Sequence, residues 1–251
     1  MKPLKIILAV LIAMTSFPLF QTDQNDELIY YPLNEGNIAF LKVNETDIYL
    51  FNTGHEVDRQ QILEQLGHWN NYNIRGIIIT KIDEHNCGNL TFLAKKYLID
   101  QLILPRSSQS CTIDQKGMQV IDLSREKSVQ LTKHYEVNHY PSKQGKAGNI
   151  ELKRNNFSAY WYETSSVNHK SDRATIVYIP SYIYEADLDI SFLDKLDPRV
   201  AVIQEKAKKE QMRLLNDVFS KEWIEAFFLT NKLSVHIELG NNPYRIFLVR
   251  R

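Results

Sequence analysis

The stretch Ile77-Ile78-Ile79-Thr80-Lys81-Ile82-Asp83-Glu84-His85-Asn86-Cys87-Gly88-Asn89 decides how this chain is read. Its isoleucine run reads as an apolar strand, and it leads into a loop dense in potential metal ligands. Upstream, Val57 to about Trp69 carries Ile62, Leu63, Leu66 and Trp69 at helical spacing, with Asp58, Arg59, Gln60, Glu64 and Gln65 on the opposite, solvent side. A strand over Gly76 to Thr80, a helix over Leu90 to Tyr97 and a strand over Gln101 to Leu104 follow. Alternation of strand and helix implies parallel pairing with helices on the sheet faces. Before them, Glu35 to Val43 and Thr46 to Gly54 read as two strands joined at Asn44-Glu45, a link suited to a hairpin.

The donor-rich loop resembles that of the metallo-β-lactamase superfamily, where a buried strand ends in Thr-His-x-(His/Asp)-x-Asp-His-x-Gly and the loop feeds one or two metal ions. Aligned on Thr80 and Gly88, the four ligand positions hold Lys81, Asp83, His85 and Asn86. A charged ammonium cannot coordinate zinc, so Lys81 speaks against the superfamily's metal chemistry. It reads either as supplying the cation's charge beside Asp83 or as a solvent-facing lysine. The opening strands are similar to the extracellular C-terminal domain of the DNA-uptake family ComEC, with Asn52-Thr53-Gly54 where that family has Asp-Thr-Gly. In the family that Asp braces the metal loop, and an amide at Asn52 fits a loop organised without a cation. Ile190 to Ile203 resembles the family's later helix, turn and strand.

The resemblance implies an α/β (α+β) protein with a four-layer αββα sandwich as a single domain over residues 27–251. It also implies what is missing. The strand Ala174 to Ile179 leads into Pro180-Ser181-Tyr182-Ile183-Tyr184 where the family has Thr-Gly-Asp, and His-His-Gly occurs nowhere. Asp187 and Asp189 are the nearby carboxylates, read as substitutes or as helix caps. The remainder is expected to hold a helix around Met212 to Phe219 and a helical run near Trp223 to Phe228. A hairpin of Leu233 to Leu239 with Tyr244 to Val249, turning at Asn241-Asn242, should close the chain.

With 251 residues, 43% of them apolar, the chain can bury one sizeable core. Its formal net charge of zero gives no basic footprint for nucleic acid, and Lys143 to Lys146, Lys206 to Lys209 and Arg250-Arg251 read as solvated surface. Lys2 and Lys5 precede an apolar run from Ile6 to Phe20, so residues 1–22 read as an export signal or an N-terminal membrane anchor. Either makes the protein extracytoplasmic, secreted or anchored. In that compartment Cys87 and Cys111, in loops after neighbouring parallel strands, are a disulfide candidate contributing on the order of 3 kcal/mol. Two other readings stand: buried unpaired thiols, or a reduced metal site of Asp83, His85 and Cys87, helped by His55, if the loop is extended. In Phe157 to Tyr162, alternation separates Phe157, Ala159 and Trp161 from Ser158, Tyr160 and Tyr162. The tyrosine face suits packing under a helix better than a ligand platform.

The functional expectation is an exported protein of the superfamily's fold with a degenerate metal site, a pseudoenzyme with no assigned catalytic residue and no cofactor. Binding or scaffolding is its expected role, with a cell-surface protein, a wall component or nucleic acid as partner. The alternative is a metal-dependent hydrolase of phosphodiesterase or nuclease type, with zinc or manganese on Asp83, His85 and Cys87. The degenerate positions are Asn52, Lys81, Asn86 and, retained, Gly88.

Overall fold

Strand registers carry the architecture of this computed structural model, which describes residues 26–105, 117–142, 148–164, 173–180, 183, 188–204, 217, 219–230, 232–240 and 244–250. The first sheet is built from β1 (Asp26–Tyr31), β2 (Ile38–Val43), β3 (Asp47–Phe51), β4 (Asn73–Ile78), β5 (Gln101–Leu104) and β6 (Gln119–Asp122). The second takes β7 (Ser128–Gln130), β8 (Glu136–Pro141), β9 (Gly148–Arg154), β10 (Phe157–Trp161), β11 (Ile176–Ile179), β12 (Val200–Gln204) and β13 (Glu225–Leu229). The chain then returns to the first sheet through β14 (Leu233–Leu239) and β15 (Arg245–Arg250). The spatial orders are β15-β14-β1-β2-β3-β4-β5-β6 and β13-β12-β11-β10-β9-β8-β7.

Three apolar layers hold this together. Between the sheets, Leu28, Tyr30, Phe51 and Ile78 meet Trp161, Ile176, Tyr178 and Val202. Phe51 stacks on Trp161 at 4.1 Å and Tyr30 on Tyr178 at 5.1 Å. On the outer face of the first sheet, Ile29, Phe40, Leu50 and Ile77 lie under α1 (Arg59–His68) and, beyond the short turn α2 (Glu84–Cys87), α3 (Leu90–Lys96). On the outer face of the second, Tyr160, Tyr162 and Val177 lie under Phe192, Leu193 and Leu196 of α4 (Ile190–Leu196). Helix, sheet, sheet, helix is the four-layer sandwich, and the tyrosine face of β10 is core. Burial on both sheet faces explains why these strands read as unbroken apolar runs; each large side chain so buried contributes about 1.5–3 kcal/mol.

Local chemistry fits the connections. Asn44 and Glu45, with φ of 52° and 60°, make the tight β2–β3 turn whose twist matches the strands it joins. From β3 through β6 the strands are parallel, so their C-terminal ends gather at one edge of the sandwich.

One expected element is different. Trp223 to Phe228 is not helical: Trp223 takes a left-handed φ of 58°, and Glu225 to Leu229 then pairs in parallel with β12 as the strand β13. A left-handed residue ends a helical turn, and the Phe227-Phe228-Leu229 run suits a strand; a short apolar run does not distinguish the two by period. Residues 1–22, Cys111, Lys143 to Lys146, Asp187, Lys206 to Lys209, most of Met212 to Phe219 and the turn Asn241-Asn242 lie outside the described residues. Among the described residues, no helix is long and apolar enough to cross a membrane.

Candidate functional site

The parallel strands deliver Asn52-Thr53-Gly54 after β3 and Thr80-Lys81 after β4 to the same edge, where the loop 33–37 after β1 meets them. Asn52 sits at φ 65°, a conformation Asn tolerates better than most residues. From there its amide clasps Thr80: Oδ1 accepts the Thr80 backbone N–H at 2.8 Å and Nδ2 donates to Thr80 Oγ1 at 2.9 Å. Thr80 Oγ1 in turn donates to Glu163 Oε1 at 2.6 Å, tying the first sheet to the end of β10. Asn52, Thr80 and Glu163 are all buried.

Asp83 starts the α2 turn and caps it. Its Oδ1 accepts from the backbone N–H and the side-chain Nδ2 of Asn86, at 3.1 and 2.7 Å. Its Oδ2 takes the Lys81 ammonium at 3.1 Å. Both carboxylate oxygens are therefore engaged by the chain's own donors. Asn86, fully buried, passes the network on: its carbonyl accepts from Thr53 N at 2.7 Å, and its Oδ1 from Asn37 Nδ2 at 3.4 Å. Asn37 Oδ1 accepts from the Tyr178 hydroxyl at 2.9 Å. Burial raises Tyr178 well above the usual phenol range, with the Glu163 charge adding to it, so the hydroxyl stays protonated and donates.

A second group lies beside the first. His85 Nδ1 donates to the Glu35 carbonyl at 2.9 Å. The His85 and His55 rings are 5.5 Å apart, and each Nε2 lies 3.9 Å from one oxygen of the exposed Glu84. Behind them Asp58, fully buried, accepts backbone N–H groups from Asn34 at 2.9 Å, Glu35 at 3.2 Å, Gly36 at 2.7 Å and His55 at 3.3 Å. That corrects its expected place on the solvent side of a helix: it precedes α1 and pins the loop 34–36 to the 55–58 turn. Gly88 fits because a Cβ there would lie 2.6 Å from the Glu84 carbonyl and 2.8 Å from the Glu56 nitrogen.

Asp83, His85 and Cys87 do not form an extended triplet. Residues 84–87 are helical, and Cys87 Sγ lies 3.1 Å from the Asp83 carbonyl oxygen. Asp189, for its part, caps α4 by accepting from Phe192 N at 3.2 Å. Among the described residues, no three His, Cys, Asp or Glu side chains are disposed to hold a metal ion. With Asp83 saturated by Lys81 and Asn86, the donor set here does not fit the metal centre that the fold implies. Sequence reading missed Asn37, Asp58, Glu163 and Tyr178. Only Asp58 had a local signal, the reciprocal His55-x-x-Asp58 cap.

No protein-family model matches the sequence, and no curated protein sequence matches it. Solved structures do match. The metallo-β-lactamase fold protein YhfI from Bacillus subtilis superposes with a TM-score of 0.63 at 6% identity, over 90% of this chain and 99% of that one. A diphosphatase from the PhnP family gives 0.54 at 14% identity, over 82% and 86%. Zn(2+)-bound PqqB from Methylobacterium extorquens gives 0.50 at 11% identity, over 79% and 86%. The chain has the metallo-β-lactamase fold.

Proposed function

We propose that this chain is a non-hydrolytic, ComEC-like protein that works outside the cytoplasm as a binding or scaffolding module, its metal site degenerate. One observation carries the reading: Lys81 Nζ lies 3.1 Å from Asp83 Oδ2, a fixed positive charge on the carboxylate a metal would need. Asn86 and Asn52 complete the substitution of ligands and brace by amides, which hold the same loops through neutral hydrogen bonds. The N-terminal residues 1–22 act as export signal or anchor on this reading, and a Cys87–Cys111 bridge ties the loop after β4 to the loop after β5. It takes support from the absence of a free thiol at Cys87.

The test is metal content per chain of protein purified without chelator and challenged with zinc and manganese, together with hydrolysis of bis(p-nitrophenyl) phosphate. Metal-free folded protein with no turnover is expected. Stoichiometric metal, with turnover abolished by Asp83→Ala in a folded variant, would replace this reading with the hydrolase using Asp83, His85 and Cys87.

A further inference from the structure

The far end of the sandwich carries a different chemistry from the edge just described. There, at the starts of β11 and β12 and the β9–β10 turn, lies a cavity of about 400 Å³. Arg154, Arg173 and Arg199 line it, with Asp197 and the rings of Phe157 and Tyr244. Its size is that of a small-molecule site. In a chain of zero formal net charge, three guanidinium groups against one lining carboxylate concentrate positive charge at one place.

The three arginines are held differently. Arg154 is fixed: it donates to the Leu239 carbonyl, lies 3.5 Å from the buried Asp26 carboxylate, and sits 5.3 Å from the centre of the Tyr135 ring. Arg173 pairs with Asp197 at 2.9 Å, both of them exposed at the mouth. Arg199 is exposed and makes no ion pair with any described residue; only its backbone is engaged, its N–H donating to the Thr175 carbonyl and its carbonyl accepting from Glu225 N. So Asp26 and Asp197 offset two of the three charges, and the third is open to an anion. Phe157 and Tyr244 pack edge to face at 5.7 Å, forming an apolar wall beside it.

Guanidinium groups recognise phosphate through paired N–H donors, and a tyrosine face stacks on a flat ring. We infer that this cavity is a binding site for a small phosphate monoester bearing a flat ring, the size of a mononucleotide, with Arg199 and Arg173 taking the phosphate and Tyr244 the ring. The site shares no residue with the Lys81–Asp83 edge and stands whether or not that edge is hydrolytic.

Isothermal titration of the full chain with adenosine monophosphate tests it, with adenosine and inorganic phosphate as the other arms. Saturable one-to-one binding is expected, at least tenfold weaker for adenosine. Arg199→Glu, at an exposed position, should weaken binding at least tenfold with an unchanged thermal midpoint. Tyr244→Ala should weaken the mononucleotide but not inorganic phosphate. Arg245→Glu, on the exposed edge strand and outside the cavity, should leave affinity unchanged. No saturable binding, equal affinity for adenosine, or an equal loss in Arg199→Glu and Arg245→Glu overturns the site.

Discussion

The ammonium of Lys81 lies 3.1 Å from Asp83 Oδ2, and that ion pair closes the side of the α2 turn that faces the end of β4. Both side chains are partly buried, at 33% and 24% exposure, so the pair is screened less than a surface bridge. Lys81→Met should cost about 1 kcal/mol in urea unfolding. A double-mutant cycle with Asp83→Asn should return a coupling of about 0.5–1 kcal/mol. Additive single effects would mean that the contact contributes nothing.

Asn52→Asp places the carboxylate of the resembled family in a buried site where the Asn52 amide now bonds Thr80. Asp tolerates the left-handed φ of 65° much as Asn does, so the change isolates charge from backbone. The Nδ2 donor to Thr80 Oγ1 is lost, and a second carboxylate joins Glu163 around that hydroxyl. Destabilisation of about 2–4 kcal/mol at pH 7 is expected. Burial and the like charge raise the new carboxyl, so the deficit should shrink as pH falls; a deficit constant from pH 8 to 5 would show that charge is not the cause.

Two glycines should respond in opposite directions to alanine. A Cβ on Gly36 would lie 2.1 Å from the His55 backbone nitrogen, whereas one on Gly67 meets nothing within 4 Å. Gly36→Ala should lose at least about 3 kcal/mol or fail to fold. Gly67→Ala, within α1, should gain about 0.5–1 kcal/mol. Thermal midpoints of the two variants check this, and equal shifts would contradict it.

Away from the site, Glu27 receives the His236 Nδ1 hydrogen bond at 2.6 Å and the Lys42 ammonium at 3.0 Å, joining β14, β1 and β2. Burial pushes this carboxyl up, but the His236 hydrogen bond and Lys42 together outweigh it and hold it below its ordinary 4.5. A lowered folded value means that the stabilisation is full above the unfolded pKa and is lost as pH falls through the folded one. Glu27→Gln should therefore cost about 1–2 kcal/mol at pH 7, and the gap to the unaltered protein should narrow progressively once pH falls below the ordinary carboxylate value of 4.5. A gap that stays constant as the pH is lowered through the acid range would assign the loss to packing.

Periodicity and landmarks made much of the fold legible. The isoleucines of β4, the Asn44-Glu45 turn and the resemblance from Thr80 to Gly88 located the sandwich and the edge that carries the candidate site. The Trp223 to Phe228 error came from a short apolar run whose state is set by β12 beside it. At the edge, Lys81 and Asp83 are near neighbours in sequence and their pairing was foreseeable. Asp58 grips amides 22 to 24 residues upstream, and Glu163 reaches Thr80 across 83 positions. Such partners are chosen by tertiary packing, which no local pattern records.

The Tyr178–Asn37 hydrogen bond spans 141 positions, and it has a consequence in time. Forming it requires both sheets to be docked, and a contact of such separation is made late because its loop must close first. A nascent chain that ends before Tyr178 can pair β1 to β4 but cannot complete the polar network. Asn37 then waits for its Tyr178 partner until the second half of synthesis.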